Sequence, residues 1–195
     1  MKPTAAALFA CLMAITACSE GILATTPAPP VTHAADGISF SYPAAWRSPA
    51  DVSAGDGTAV SGPAVGYLDG AGNLIGLAVE TQAVDPAVPF GEEQSYLDAV
   101  FSRHAAEIWG EGTVREEDWS EVDGRPARRS VVEHTARGEL LISEVLIAVE
   151  GGTLVIVQCQ APAPVFDLLT PRCASVVATL RIDWDGEDSG AATGS

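Results

Sequence analysis

Three turn signals fall at short intervals between Thr113 and Ala161: Asp123-Gly124, Ala136-Arg137-Gly138 and Gly151-Gly152. Asp-Gly and Gly-Gly tolerate the positive φ angles that two-residue hairpin turns demand. They separate four strand-length segments, Thr113–Val122, Ala127–Thr135, Glu139–Glu150 and Thr153–Ala161. Segments joined this way form an antiparallel meander. The last two are the most hydrophobic, which places them centrally in a sheet.

The remaining elements supply what such a sheet needs on its faces. Gly37–Tyr42 alternates apolar and polar residues and stops at Pro43, and Asn73–Gln82 reads as another strand. Glu92–Trp109 is predicted as an amphipathic helix, with Leu97, Phe101, His104 and Ile108 on one stripe, Tyr96 and Val100 beside it, and Gly110 and Gly112 at its end. After Pro162 and Pro164 a second helical stripe follows: Phe166, Leu169, Cys173, Val176, Val177 and Leu180. Pro171 lies inside it and predicts a kink or break after Thr170. The order strand, strand, helix, meander, helix implies an α+β fold, an antiparallel sheet sandwiched by helices, over residues 36–182. Residues 183–195 turn acidic and then Gly/Ala/Ser-rich and read as a disordered tail, with Trp184 packing locally.

The N-terminus concerns location. Ala5–Ala17 is a run of thirteen uncharged residues. As a helix it spans ~20 Å, against ~30 Å for a bilayer core, so it reads as a signal-peptide core rather than a membrane span. It closes on Ile15-Thr16-Ala17-Cys18, which resembles the lipobox of bacterial lipoproteins. The resemblance implies cleavage of residues 1–17 and lipid on Cys18, leaving a protein anchored on the extracytoplasmic face of the cell membrane. Residues 18–35 read as a Pro/Ala/Thr-rich linker reaching at most about 50 Å. Beyond residue 17 the chain has nine Arg and no Lys against 26 Asp plus Glu, a formal charge of −17. That field excludes nucleic acid as a partner and gives the body no hold on anionic lipid.

Cys11 leaves with the signal peptide and Cys18 carries the lipid, so Cys159 and Cys173 remain. In an oxidising compartment an even pair points to a disulfide. Cys159 shares a strand face with Val155 and Val157, and Cys173 lies on the apolar stripe of the last helix. Two buried free thiols, or a metal pair in need of further ligands, are the other arrangements.

Few residues in the sequence carry a pattern that points to chemistry. His33, His104 and His134 have no metal-ligand spacing between them. Asp183–Asp188 has a calcium-like look without the later Glu of an EF-hand loop. Ser61 lacks the flanking glycines of a nucleophile elbow. Glu116, Glu117, Asp118 and Glu121 crowd one strand, as a solvated edge that resists aggregation would. No catalytic residue and no cofactor is expected. For partner binding, Arg125, Arg128 and Arg129 are the local positive cluster, readable either as salt bridges to neighbouring carboxylates or as a patch for an anionic partner. Trp119 is the tryptophan expected to be exposed, while Trp46 and Trp109 belong to the core or its edge.

Several stretches together resemble a known family. Phe40-Ser41-Tyr42-Pro43-Ala44-Ala45-Trp46 is similar to the opening of PsbP-like (Mog/PsbP) domains. Asp123-Gly124-Arg125-Pro126-Ala127 resembles the hairpin after their first helix, and Gly151–Val157, a helix, then Val177–Arg181 resembles their ending. Combined with the lipobox, the set resembles actinobacterial LpqN/LpqT-type lipoproteins. The loop from Arg47 to Pro63 is longer and more Gly-rich than that pattern. The resemblance implies an antiparallel sheet between helical layers and a non-enzymatic binding or assembly factor of the cell envelope, its partner an envelope protein, a lipid or a glycan. Two rivals stand beside it. An envelope hydrolase would gather His104 or His134 with a Ser and a carboxylate in a cleft. A lipid or small-molecule carrier would hold an apolar cavity between sheet and helix.

Overall fold

A computed structural model describes residues 28–47, 62–83, 93–104 and 112–184. The expected signal peptide, Cys18, Ser61, Ile108, Trp109 and the acidic stretch beyond Trp184 lie outside the described residues. The chain runs β1 (Val31–Ala35), β2 (Ile38–Tyr42), β3 (Ala64–Leu68), β4 (Leu74–Ala83), α1 (Glu93–His104), β5 (Thr113–Val122), β6 (Arg125–Ala136), β7 (Glu139–Glu150), β8 (Thr153–Pro162), α2 (Ala163–Val177) and β9 (Arg181–Ile182). A six-stranded antiparallel sheet has the order β3-β4-β8-β7-β6-β5, and β1-β2-β9 form a second, smaller sheet. The α+β class is thus observed, with the most apolar strands, β7 and β8, at the centre.

Strand periodicity explains the two cores. Successive residues of a strand face opposite sides. On one side Leu146, Ala148, Val155 and Val157 meet Phe166, Leu169 and Val176 of α2, and Phe40 of the small sheet joins them. On the other, Val145, Ile147, Leu154 and Ile156 meet Leu97, Val100 and Phe101 of α1. The meander turns close as their sequences require: Asp123 and Gly124 have φ of 48° and 75°, Arg137 and Gly138 of 50° and 84°.

Three expectations change. Residues 31–35, read as the end of the linker, form β1, paired with β2 from Val31↔Tyr42 to Ala35↔Ile38. The turn between them is Asp36-Gly37, with φ of 52° and 74°, the same dipeptide that closes β5 onto β6. Strand β3 was hidden by its brevity and its glycine. It pairs with β4 through a turn in which the Asp69 carboxylate accepts hydrogen bonds from the backbone of Ala71 (2.9 Å) and of Asn73 (2.8 Å). Finally, Pro171 does not break α2, which runs unbroken from Ala163 to Val177. Pro171 and the residue whose carbonyl it leaves without a donor, Asp167, both lie on the exposed side of the helix. Water there can satisfy that carbonyl, and the helix continues past the proline.

The end of α2 is held by side chains. Thr179 Oγ1 donates to the Val176 carbonyl (2.8 Å) and accepts from the backbone N–H of Ser41 on β2 (2.9 Å). Beyond it, the Asp123 carboxylate accepts from Ile182 N (2.9 Å) and Trp184 Nε1 (3.3 Å), so the β5–β6 turn clamps β9 and buries Trp184.

Candidate functional site

Helix α2 packs on β8, β7 and β4 and leaves the same face of β5 and β6, with the adjoining part of β7, open beside its C-terminal half. The result is a cleft of about 300 Å³. Its floor is Leu146, Val157 and the Cys159–Cys173 disulfide, and one wall is Ala174, Val177 and Ala178. The opposite wall is Arg129, Glu144 and the Ser120-Glu121 stretch of β5. The disulfide forms because Cys159 points from the centre of the sheet at the buried stripe of α2, with Cα atoms 6.1 Å apart.

Arg129 is the polar centre of this cleft. Register places it opposite Asp118 on β5 and Leu146 on β7, on the same sheet face as Glu144 and Glu116. Its Nε donates to Glu144, and its Nη1 lies 3.3 Å from Glu116 and 3.2 Å from Asp118. Burial by itself would lower the Arg129 pKa. The hydrogen bond to Glu144 and the charges of Glu116 and Asp118 outweigh it and hold the group above its ordinary value, so it stays charged. Substituting Arg129→Met would leave Glu144 partly buried without its cation, and an unfolding free energy lower by roughly 1–3 kcal/mol is expected in urea titrations. A further Glu144→Leu change should recover part of that loss. Losses of the two single variants that simply add in the double variant would show that the pair is not coupled.

Arg128, one residue earlier, faces the other side. It bridges Asp98 of α1 (3.1 Å) and Glu117 of β5 (2.9 Å). Arg125 meets Glu150 at 3.5 Å, with both side chains well exposed, a pairing worth little in water. Of the two readings of the cluster, the geometry shows the salt bridges. The β5–β6 hairpin brings the acidic run of β5 against the arginines, and Arg128 and Arg129 serve five carboxylates between them: Asp98, Glu116, Glu117, Asp118 and Glu144. The local field is negative. Trp119, in contrast, is 46% exposed, on the Arg128 side of β5.

On the α1-side face lies a polar group that periodicity could not reveal. His134, Ser143, Gln158 and Gln160 are all buried. His134 Nε2 and Ser143 Oγ are 2.8 Å apart. Gln158 Nε2 donates to Ser143 Oγ (2.9 Å) and Gln160 Oε1 (3.0 Å), and Gln160 Nε2 donates to the Leu74 carbonyl (2.9 Å). Polar residues alternating with apolar ones read as a solvated strand face, and only the packing shows that this one is closed. Burial pushes the His134 pKa down to about 4, so the ring is neutral at pH 7. A neutral His beside a Ser is half of a nucleophilic pair. Here Ser143 has no solvent exposure and no substrate carbonyl can reach it. Among the described residues, no three His, Cys, Asp or Glu side chains converge as metal ligands, and no helix is long and apolar enough to cross a membrane.

No family model and no curated protein matches this sequence. Similar solved structures include the solution structure of cyanobacterial PsbP (CyanoP) from Synechocystis sp. PCC 6803, at 12% identity and a TM-score of 0.54, over 82% of this chain and 95% of that one. A crystal structure from Bacteroides thetaiotaomicron VPI-5482 aligns at 13% identity and a TM-score of 0.50, over 80% of this chain and 49% of that one. LpqN, involved in cell envelope biogenesis of Mycobacterium tuberculosis, aligns at 13% identity and a TM-score of 0.46, over 79% of this chain and 89% of that one. The likeness to CyanoP is one of fold: the domain is PsbP-like.

Proposed function

We propose that this PsbP-like chain is a lipid-anchored, extracytoplasmic binding or assembly factor of a bacterial cell envelope, with no catalytic activity of its own. The observation that carries the binding reading is the cleft beside β5. Its apolar floor and its Arg129–Glu144 pair line an opening to solvent, and Trp119 is exposed on the other face of β5, whereas the one His–Ser pair found among the described residues is sealed inside. The lipobox-like Ile15–Cys18 supports the anchor. With β1 starting at Val31, only residues 19–30 separate Cys18 from the first strand. Twelve extended residues span at most ~37 Å, so the tether is shorter than the 18–35 linker and holds the domain close to the bilayer. A formal charge of −17 gives the body no other grip on anionic lipid.

Cys18→Ala is expected to move the protein from the membrane fraction to the soluble one once the signal is cut. Acyl labelling of that variant at the wild-type level would refute the anchor. Crosslinking in intact cells should then give a discrete adduct with an envelope component. A pattern no different from that of an unrelated tethered domain would sink the binding reading. The volume of the cleft, at the lower end of the ~300–1,000 Å³ range of small-molecule sites, favours carriage of a small amphiphile as the second reading. Native mass spectrometry of protein extracted from membranes would find that ligand bound.

A further inference from the structure

We propose that β5 is a docking edge for a basic, extended segment of a partner protein, which adds to the sheet as one more strand. The inference rests on the binding reading above and names the chemistry of the partner.

The two edges of the large sheet differ. At one end, β3 is five residues long, and Arg47 already bridges to its outer side, its N–H donating to the Gly66 carbonyl (2.8 Å). At the other end, β5 is ten residues long and, among the described residues, is hydrogen-bonded to β6 alone. A bulge between Val114 and Glu116 interrupts its start, and regular pairing runs from Glu116 to Val122. An edge of that length is a template for another strand.

The side chains along this edge select which strand. Five carboxylates share Arg128 and Arg129, leaving three negative charges uncompensated. Glu121 adds another exposed carboxylate. A second copy of this chain would set carboxylate against carboxylate, so the same charges that forbid self-pairing favour a strand rich in Lys or Arg. Protection against aggregation accounts for the acids but not for Trp119. An exposed indole at the middle of an open edge invites contact. By the period of two, Glu117 and Glu121 flank it on the same face. A cation over the indole face, held between two carboxylates, satisfies all three groups. The other row of an added strand falls on the face of β5 that carries Glu116 and Asp118, both already held by Arg129. A basic residue at every second position, facing Trp119, is therefore the expected pattern of the partner.

The test uses the purified full-length protein in detergent and a fluorescent peptide of alternating Lys and Val. Binding is expected, with amide shifts centred on Glu116–Val122. Replacing every Lys by Glu should abolish it. Methylating the backbone nitrogens along one edge of the peptide, which blocks strand pairing without changing charge, should abolish it as well. Trp119→Leu combined with Glu121→Gln should weaken it about tenfold at unchanged thermal stability. Undiminished binding of the N-methylated peptide would reduce the contact to charge adhesion and overturn the proposal. Shifts centred elsewhere, or a dimer formed through β5, would do the same. In cells, photo-crosslinkers at positions 119 and 121 should capture the partner. Capture only from positions on α2 would overturn the docking edge and leave the binding reading standing, whereas no capture from any position would sink both.

Discussion

Removal of the Cys159–Cys173 disulfide, by reduction or by Cys159→Ala with Cys173→Ala, is expected to lower the unfolding free energy by about 3 kcal/mol. The bridge joins residues 14 apart and closes the loop made by the end of β8 and the first turns of α2. In the chain-entropy account, that loop is constrained in the unfolded chain only while the bridge is intact. For a domain of this size the loss corresponds to a melting temperature lower by roughly 6–12 °C. A local effect comes with it. The bridge is part of the floor of the cleft and ties the C-terminal half of α2 to β8, so hydrogen exchange should rise first at Cys173–Val177. Urea midpoints that coincide with and without reductant, with reduction verified by thiol counting, would show that the staple adds nothing to stability.

A second expected result concerns acid. An ordinary histidine takes up a proton near pH 6.5, whereas burial holds His134 neutral down to about pH 4 in the folded protein. Between these values the unfolded chain binds the extra proton. Its unfolding free energy therefore falls as pH drops through that window and levels off below it, by up to about 3 kcal/mol from this one residue. Carboxylates paired with arginines add their own acid sensitivity, so the contribution of His134 is the difference between the wild type and His134→Gln. The variant should be less stable at pH 7, because it disturbs Ser143, yet lose less on going to pH 4.5. An imidazole NMR signal of His134 titrating near pH 6.5 in the folded protein would contradict this.

The meander was legible before any coordinates because its signals are local. A positive-φ dipeptide closes a hairpin wherever it falls between two strand-length segments, and Asp123-Gly124, Arg137-Gly138 and Gly151-Gly152 all do so. The same rule applied to Asp36-Gly37 would have found β1. That turn was lost because Val31–Ala35 follows a proline-rich stretch and none of its five residues is fully buried. The continuity of α2 through Pro171 was not legible, since it depends on which side of the helix faces water. Trp119 and the acidic run were read correctly as an exposed strand edge, because charge density is a local property. The Arg125–Arg129 cluster stayed open in the sequence between salt bridges and an anion patch. The sign of its field depends on cross-strand register, which sets Asp118 opposite Arg129 and Glu117 within reach of Arg128.

The closed polar group His134–Ser143–Gln158–Gln160 shows the deeper divide. By itself the sequence determined the α+β class, the order of the meander strands and the acidity of β5, and it singled out Cys159 and Cys173 as candidates for a bridge. All of these follow from periodicity, turn chemistry and composition, which act between neighbours in the chain. The tertiary structure alone decided which alternating faces were shut and which stayed open. It sealed the His–Ser pair under one face, left a cleft on the other and set β5 at the end of the sheet. Burial is a property of what packs across a face, and that is set by residues far apart in sequence.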